Sequence, residues 1–478
     1  MKHQVFNPYL PGWEYIPDGE PRVFDGRLYI YGSHDRFNGE RFCELNYVCW
    51  SAPVDDLGSW RFEGEIYDKR RDPICTGDDR LLFAPDVVRG PDGRYYLFYA
   101  FDFSNVISVA VCDEPAGAYS FYGHVHYSDG LLLGQKEGDS FQFDPGVLVD
   151  DDSRVYLYTG FCMKNSPFPK DEHLCEDRGA MMVELDADML TVRTEPRFIV
   201  PCYSNGEGTG FENHEFFEAS SMRKINGKYY FIYSSVNSHE LCYAVSDNPV
   251  KDFRYGGTIV SNGDIFLDGN GVEKATNYTG NNHGSLIEIN GKLYIFYHRH
   301  TNRHQFSRQG CAERVRMLPD GSIPQVEITS CGLNGGPLSG RGEYEARIAC
   351  NLMSAQGAVP YEMGHPLDSI HPYFTQEDTP EDKSRQYIAN LTDGAVVIYK
   401  YFEFSSACSI SLWLRGSGEG QLMVATTIDG PAAALISVYP SMEWTKYTAS
   451  FHIPGGITQL CFIFNGTGAV DFLKFEFA

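Results

Sequence analysis

Five segments of this chain repeat one pattern, a tight turn followed by an aromatic strand, and that repetition limits the folds open to it. They are GRLYIYGSHD (26–35), GRYYLFYAFD (93–102), SRVYLYTGFC (153–162), GKYYFIYSSV (227–236) and GKLYIFYHRH (291–300). Their matching tyrosines, Tyr29, Tyr96, Tyr156, Tyr230 and Tyr294, stand 67, 60, 74 and 64 residues apart. Intervals of this length, filled by short strands and turns, predict a β-propeller with one sheet per blade. The expected fold is therefore all-β, with five blades over residues 1–330. No long stretch keeps a 3.6-residue apolar period, and 14% aromatic residues with 48 glycines suit strands and turns.

A polar residue precedes each matching tyrosine by 10 to 12 positions: Asp18, Asp86, Asp144, Glu218 and His283. Any one of them, taken alone, reads as a turn or cap residue. Equivalent positions in five blades, however, converge on the central axis. Gathering four carboxylates and a histidine there carries a large desolvation cost, so the ring is expected to serve chemistry rather than stability. One protonated and one ionised carboxyl suffice to hydrolyse a glycosidic bond, and a third can hold the acid protonated by repulsion. Glu218 follows Phe216-Phe217 and precedes Ala219-Ser220, a partly apolar setting that suits a general acid. Asp18 lies in the Gly/Pro-rich loop IPDGEPRVF, a polar setting that suits a base, with Glu20 as its rival.

The composition restricts the partners. With 39 Lys and Arg against 64 Asp and Glu, the net charge is −25, which disfavours nucleic acid and anionic membranes and favours a neutral substrate. The opening MKHQVFNPYLPGWEYIPDG has no apolar core, so no signal peptide is expected and the location reads as cytoplasmic. The thirteen cysteines lack ligand or disulfide spacing and read as reduced thiols. A homo-oligomer is an admissible assembly.

Three features read as distractions. Asp72, in Arg71-Asp72-Pro73, reads as a loop residue. Asp150-Asp151-Asp152 reads as a hairpin tip. His298, His300 and His304 read as imidazoles alternating along a strand rather than as a metal site. After residue 330 the pattern changes. Residues 331–342 are glycine-rich and read as a linker, and 343–478 carry alternating runs such as VVIYKYFEF (396–404) and SISLWLRG (409–416), expected to form an antiparallel β-sandwich. Trp413 and Trp444 there read as core residues before sugar-stacking ones.

The opening NPYLPGWEYIPDGEPRVFDGRLYIYGSHD (7–35), with FAPDVV (83–88), FDPGVLVDDDSRVYLY (143–158), FFEASSMRKINGKYYFIYS (216–234) and NNHGSL (281–286), resembles glycoside hydrolase family 43, across all five blades. The resemblance implies inversion in a single displacement, with Asp18 as base, Asp144 as pKa modulator and Glu218 as acid. It implies substrate contacts from Asp86, Phe83 (where tryptophan is usual), His34 and Arg308. It also implies a central histidine at His283, which in many members holds Ca2+ at the axis, although the chemistry itself needs no cofactor. The expected activity is that of an exo-acting β-xylosidase and/or α-L-arabinofuranosidase on hemicellulose-derived oligosaccharides. The alternatives are an arabinanase or galactan-directed hydrolase, or a silent sugar-binding propeller. The C-terminal part resembles carbohydrate-binding module family 6 through YEARIA (344–349), YIANLTDGAVVIYKYFEF (387–404) and GAVDFLKFEF (468–477). That resemblance implies a structural Ca2+ at Glu345 and Asp471, although Arg347 departs from its acidic pattern.

Overall fold

The computed structural model describes residues 4–77, 79–102, 104–163, 178–358, 366–377, 384–405 and 408–478. Its first sheet pairs β1 (Glu20–Phe24), β2 (Arg27–Tyr31), β3 (Tyr47–Pro53) and β4 (Arg61–Tyr67) in chain order. The second pairs β5 (Asp86–Arg89), β6 (Tyr95–Ala100), β7 (Ile107–Cys112) and β8 (Ser120–His124). The third holds β9 (Gly146–Val149), β10 (Val155–Thr159), β11 (Ala180–Leu185) and β12 (Arg197–Val200). The fourth holds β13 (Phe216–Ile225), β14 (Lys228–Ser235), β15 (Glu240–Ser246) and β16 (Arg254–Ser261). The fifth has three strands, β17 (Leu286–Ile289), β18 (Lys292–Thr301) and β19 (His304–Val315).

The repeated aromatic run is the second strand of every sheet. It reads as nearly continuous hydrophobe because a central strand with sheets packed on both faces is buried on both. A separate hydrophobic cluster fills each gap between successive sheets, and the gap between the fifth and the first is filled as well. The first strands meet at the middle. β1 touches both β5 and β17, β5 touches β9, and β9 touches β13. Ser221 and Ser285 close the remaining side with a 2.7 Å hydroxyl–hydroxyl bond, and Arg223 Nε donates to Leu286 O at 2.8 Å. The result is a five-bladed propeller.

Two glycines next to ring residues allow this close approach. A Cβ on Gly146 would lie 2.4 Å from Ser220 O, and one on Gly284 would lie 1.9 Å from Phe296 O. The three-stranded fifth sheet borrows an edge from the N-terminus. Asn7 accepts from Ala312 N at 2.9 Å and donates to Ala312 O and Thr329 O at 3.0 Å each, and Tyr9 N donates to Gly310 O.

Residues from 338 onward form two six-stranded sheets over an aromatic core that includes Tyr344, Phe402, Phe404, Phe472, Phe475 and Phe477. Within 331–342, Cys331 and Leu338 join that core, and Leu338–Ser339 pair in parallel with the strand Ala395–Phe404. Trp413 lies on a sheet face between Lys446 and Lys474, and Trp444 donates to Glu377 with Arg415 over its ring. Neither tryptophan is a core residue. Among the described residues all cysteines are free, and no helix is long and apolar enough to cross a membrane.

Candidate active site

The carboxylates sit where the innermost strands begin, and irregular backbone aims them. Asp18 (φ 56°) and Asp144 (φ 44°) lie just before β1 and β9 in the left-handed region that aspartate tolerates better than most residues. Glu218 lies inside β13 at a bulge that interrupts pairing with β14 on both sides, and Ala219 beside it has φ 69°. A non-glycine residue held there stores strain of order 1–3 kcal/mol. One return is visible, since Ala219 N points at Asp144 Oδ2, 3.2 Å away.

Asp18 is 4% exposed and Arg308 Nη1 donates to its Oδ1 at 3.0 Å. Burial is the largest single influence and would raise its pKa, but the Arg308 charge, joined by His298 and His283, overcomes it and holds the carboxyl well below the usual carboxylate range. Arg308 is itself fixed, donating through Nε and Nη2 to Asp35 at 2.9 and 3.0 Å and through Nη2 to Cys43 Sγ at 3.3 Å. His298 Nδ1 lies 3.2 Å from Asp18 Oδ1. Its Nε2 lies 2.8 Å from Asn281 O, a pure acceptor, so the proton sits on Nε2. Nδ1 then accepts the Asp18 N–H at 3.3 Å. Burial lowers the His298 pKa and keeps the ring neutral.

Glu218 is half-buried, and its pKa is pushed up to about 8, first by burial and then by the Asp144 charge. Asp144 is also raised, chiefly by burial and further by Asp18, against the pull of His283 Nδ1 at 3.5 Å from its Oδ2. His283 is raised to about 9: its burial acts downward, but the hydrogen bond and charge of Asp144 prevail. An arc of rings adjoins Asp144 and Glu218. Phe83 packs on Phe143 at 4.9 Å, Phe143 on Phe161 at 5.3 Å, and Phe161 on Phe217 at 5.3 Å. Phe143 and Phe161 were not singled out from sequence. Their signal was adjacency, since Phe143 precedes Asp144 and Phe161 is the next-to-last residue of the third aromatic repeat.

Asp86 does not stand with the other four. It is fully buried, its carboxylate takes three hydrogen bonds of 2.6–3.0 Å from Arg22, and its Oδ2 also accepts from Val147 N at 2.8 Å. A carboxylate so occupied cannot contact substrate, which corrects the sequence expectation. Glu20, the rival base, is 1% exposed and paired with Arg223. His34 is corrected too, because Glu14 Oε1 and Asn46 O each lie 3.0 Å from one of its ring nitrogens. Arg308, 2% exposed, serves Asp18 rather than reaching outward.

His300 keeps its Nε2 2.8 Å from Asn281 Oδ1, and His304 lies at the tip of the same hairpin. Asp72 is no ordinary loop residue. It is 1% exposed and bound by Tyr99 OH at 2.7 Å, with His124 Nε2 at 3.2 Å. Asp150 and Asp151 cap a turn and receive Lys224 at 2.6 and 2.8 Å.

These residues do not fit a calcium ion, which takes six to eight oxygen ligands. His283 turns its Nδ1 toward Asp144 Oδ2, 3.5 Å away, and Arg22 and Arg223 already neutralise Asp86 and Glu20 at the axis. In the sandwich, Glu345 is paired with Arg347 at 2.6 Å and Asp471 with Arg415 at 3.2 Å, so that pair does not fit one either. Among the described residues one other cluster, His214, Glu240 and Cys242, has ligand-like spacing. Its carboxylate, though, already accepts from Ser235, Asn237 and Thr258 at 2.5–2.8 Å.

A propeller axis with one carboxyl lowered and one raised in pKa, and a third beside them, has the groups that glycoside cleavage requires. The profile of Glycosyl hydrolases family 43 matches residues 17–323, and the chain belongs to that family, whose hydrolysis proceeds with inversion. It is 53% identical to a xylosidase/arabinosidase of Thermoclostridium stercorarium over 99% of both chains. It is 32% identical to a β-xylosidase of Xylanibacter ruminicola over 60% of this chain and 88% of that one. Among solved structures it is similar to a GH43 β-xylosidase/α-arabinofuranosidase from a compost microbial metagenome, solved with xylotriose. That likeness has a TM-score of 0.50 and 28% identity, and covers 66% of this chain and 94% of that one.

Proposed function

We propose that the protein is an exo-acting β-xylosidase and/or α-L-arabinofuranosidase on hemicellulose-derived oligosaccharides, acting in the cytoplasm, with Asp18 as base and Glu218 as acid. The observation that carries the assignment is the opposite displacement of two carboxyls on one axis. Asp18 is held ionised by Arg308, while Glu218 is held protonated up to about pH 8. Asp18 takes a proton from water as that water attacks the anomeric carbon, and Glu218 gives its proton to the departing oxygen. Asp144 keeps Glu218 protonated by like-charge repulsion and fixes the bulge through Ala219 N. The arc Phe83–Phe143–Phe161–Phe217 supplies apolar faces against which a sugar ring stacks.

We assign this chemistry to residues 1–330 as the catalytic domain, followed by 331–342 as connector and 343–478 as sandwich. The sugar is supported by the two similar enzymes named xylosidase/arabinosidase and β-xylosidase. Purified protein assayed side by side on nitrophenyl β-xyloside and nitrophenyl α-L-arabinofuranoside tests it. Turnover of either supports the reading, and turnover of neither, alongside cleavage of arabinan or galactan, contradicts it.

A further inference from the structure

The sandwich grips the back of the hairpin whose front holds the base. In β18 and β19, His298 pairs with Gly310, Arg299 with Gln309, and His300 with Arg308. Side chains alternate across a strand, so His298 and Arg308 point at Asp18 while Arg299 and Gln309 point the opposite way. That opposite face meets the sandwich. Arg299, 7% exposed, lies 3.7 Å above the Phe374 ring and donates to Arg347 O at 2.8 Å and Ala349 O at 3.2 Å. Its Nη2 donates to Gln309 Oε1 at 3.0 Å and reaches Gln386 Oε1 at 3.5 Å.

The loop that carries Asp18 ends on the same surface. Tyr15 OH donates to Gln376 Oε1 at 2.7 Å and accepts from Gln386 Nε2 at 3.4 Å. Gln309 Nε2 donates to Gly12 O at 2.9 Å. Tyr15 O in turn receives Asp35 N at 2.9 Å, and Asp35 anchors Arg308. The two halves of the base's environment, loop 12–18 and hairpin 298–309, thus share one platform of Phe374, Gln376 and Gln386.

We propose that this platform makes the sandwich part of the catalytic apparatus, with Phe374 and Gln386 as positioning residues that hold Arg308 against Asp18. The proposal rests on Asp18 being the base. Without the platform the hairpin is free to shift, and a displacement of about 1 Å at a reacting group costs up to roughly a hundred-fold in rate. Moving the guanidinium away also removes what keeps Asp18 ionised, so its pKa rises by about one unit or more.

The test is the pH profile of kcat/KM for full-length Phe374→Ala and Phe374→Tyr, with thermal midpoints measured on the same samples and Asp18→Asn run alongside. Phe374→Ala is expected to lose roughly ten- to a hundred-fold in kcat/KM, with its acid limb moved up by about one pH unit. Phe374→Tyr keeps a ring face under Arg299 and should track the wild type. If Phe374→Ala does not fold, Gln386→Ala carries the same readouts. A folded variant with a lower midpoint but a wild-type profile would overturn the proposal. An active Asp18→Asn would overturn the base assignment, and this proposal with it.

Discussion

Glu218 carries the clearest consequence at the scale of a single residue. Its folded pKa of about 8 lies above the ordinary value of 4.5, so the folded state retains a proton that the unfolded state gives up between them. The associated stability is fully present below pH 4.5 and lost as the pH rises through about 8. Gln does not titrate, so Glu218→Gln should gain in thermal midpoint over the wild type across that window and level off above it. Paired calorimetric scans from pH 5 to 9 check this. Asp144→Asn removes the charge that helps hold Glu218 protonated, so the basic limb of kcat should move below about 8. A pH–rate profile measures that limb. The gathering of Asp18, Asp144 and Glu218 at the inner strands was legible from their offsets to the repeated tyrosines. Their opposite titration was expected from local context, but its cause at Asp18 was not legible, because Arg308 stands 290 residues along the chain.

Among the elements, the aromatic second strands announced themselves in sequence because burial on both faces demands an unbroken hydrophobic run. The first strands were harder to read. They are only four or five residues long in four of the blades, too short for a periodic pattern to stand out. Asp86 shows the consequence. Its offset matched the pattern, yet it is the first residue of β5 and faces Arg22 on β1, so it neutralises a cation instead of meeting substrate. Asp86→Asn should leave the Arg22 guanidinium without its counter-charge and destabilise the fold by about 3 kcal/mol. Denaturant unfolding reads that loss, and KM at a temperature where the variant is folded should stay near wild type. A large rise in KM without loss of stability would restore Asp86 to the substrate. His34 was misread similarly, since its motif matched but Glu14, twenty residues earlier, takes its Nε2.

For the whole molecule, five repeats specified five sheets, and the hydrophobic clusters between them bear out the propeller. What the repeats could not convey is the contact between propeller and sandwich, made by side chains such as Arg299 and Phe374 that look unremarkable in sequence. Nor could they show that Arg22 and Arg223 supply positive charge at the axis. With those guanidinium groups in place, chelator treatment followed by dialysis should leave kcat/KM unchanged, and loss of activity restored by Ca2+ would contradict that. The central claim divides the labour between an acid and a base, and leaving-group dependence tests it most directly. Glu218→Gln should lose about a hundred-fold or more in kcat on a xylo- or arabino-oligosaccharide, whose leaving oxygen needs a proton. The same variant should lose far less on a dinitrophenyl glycoside, whose leaving group departs unprotonated, whereas Asp18→Asn should fail on both. Equal losses on the two substrates for Glu218→Gln, or an active Asp18→Asn, would contradict the account.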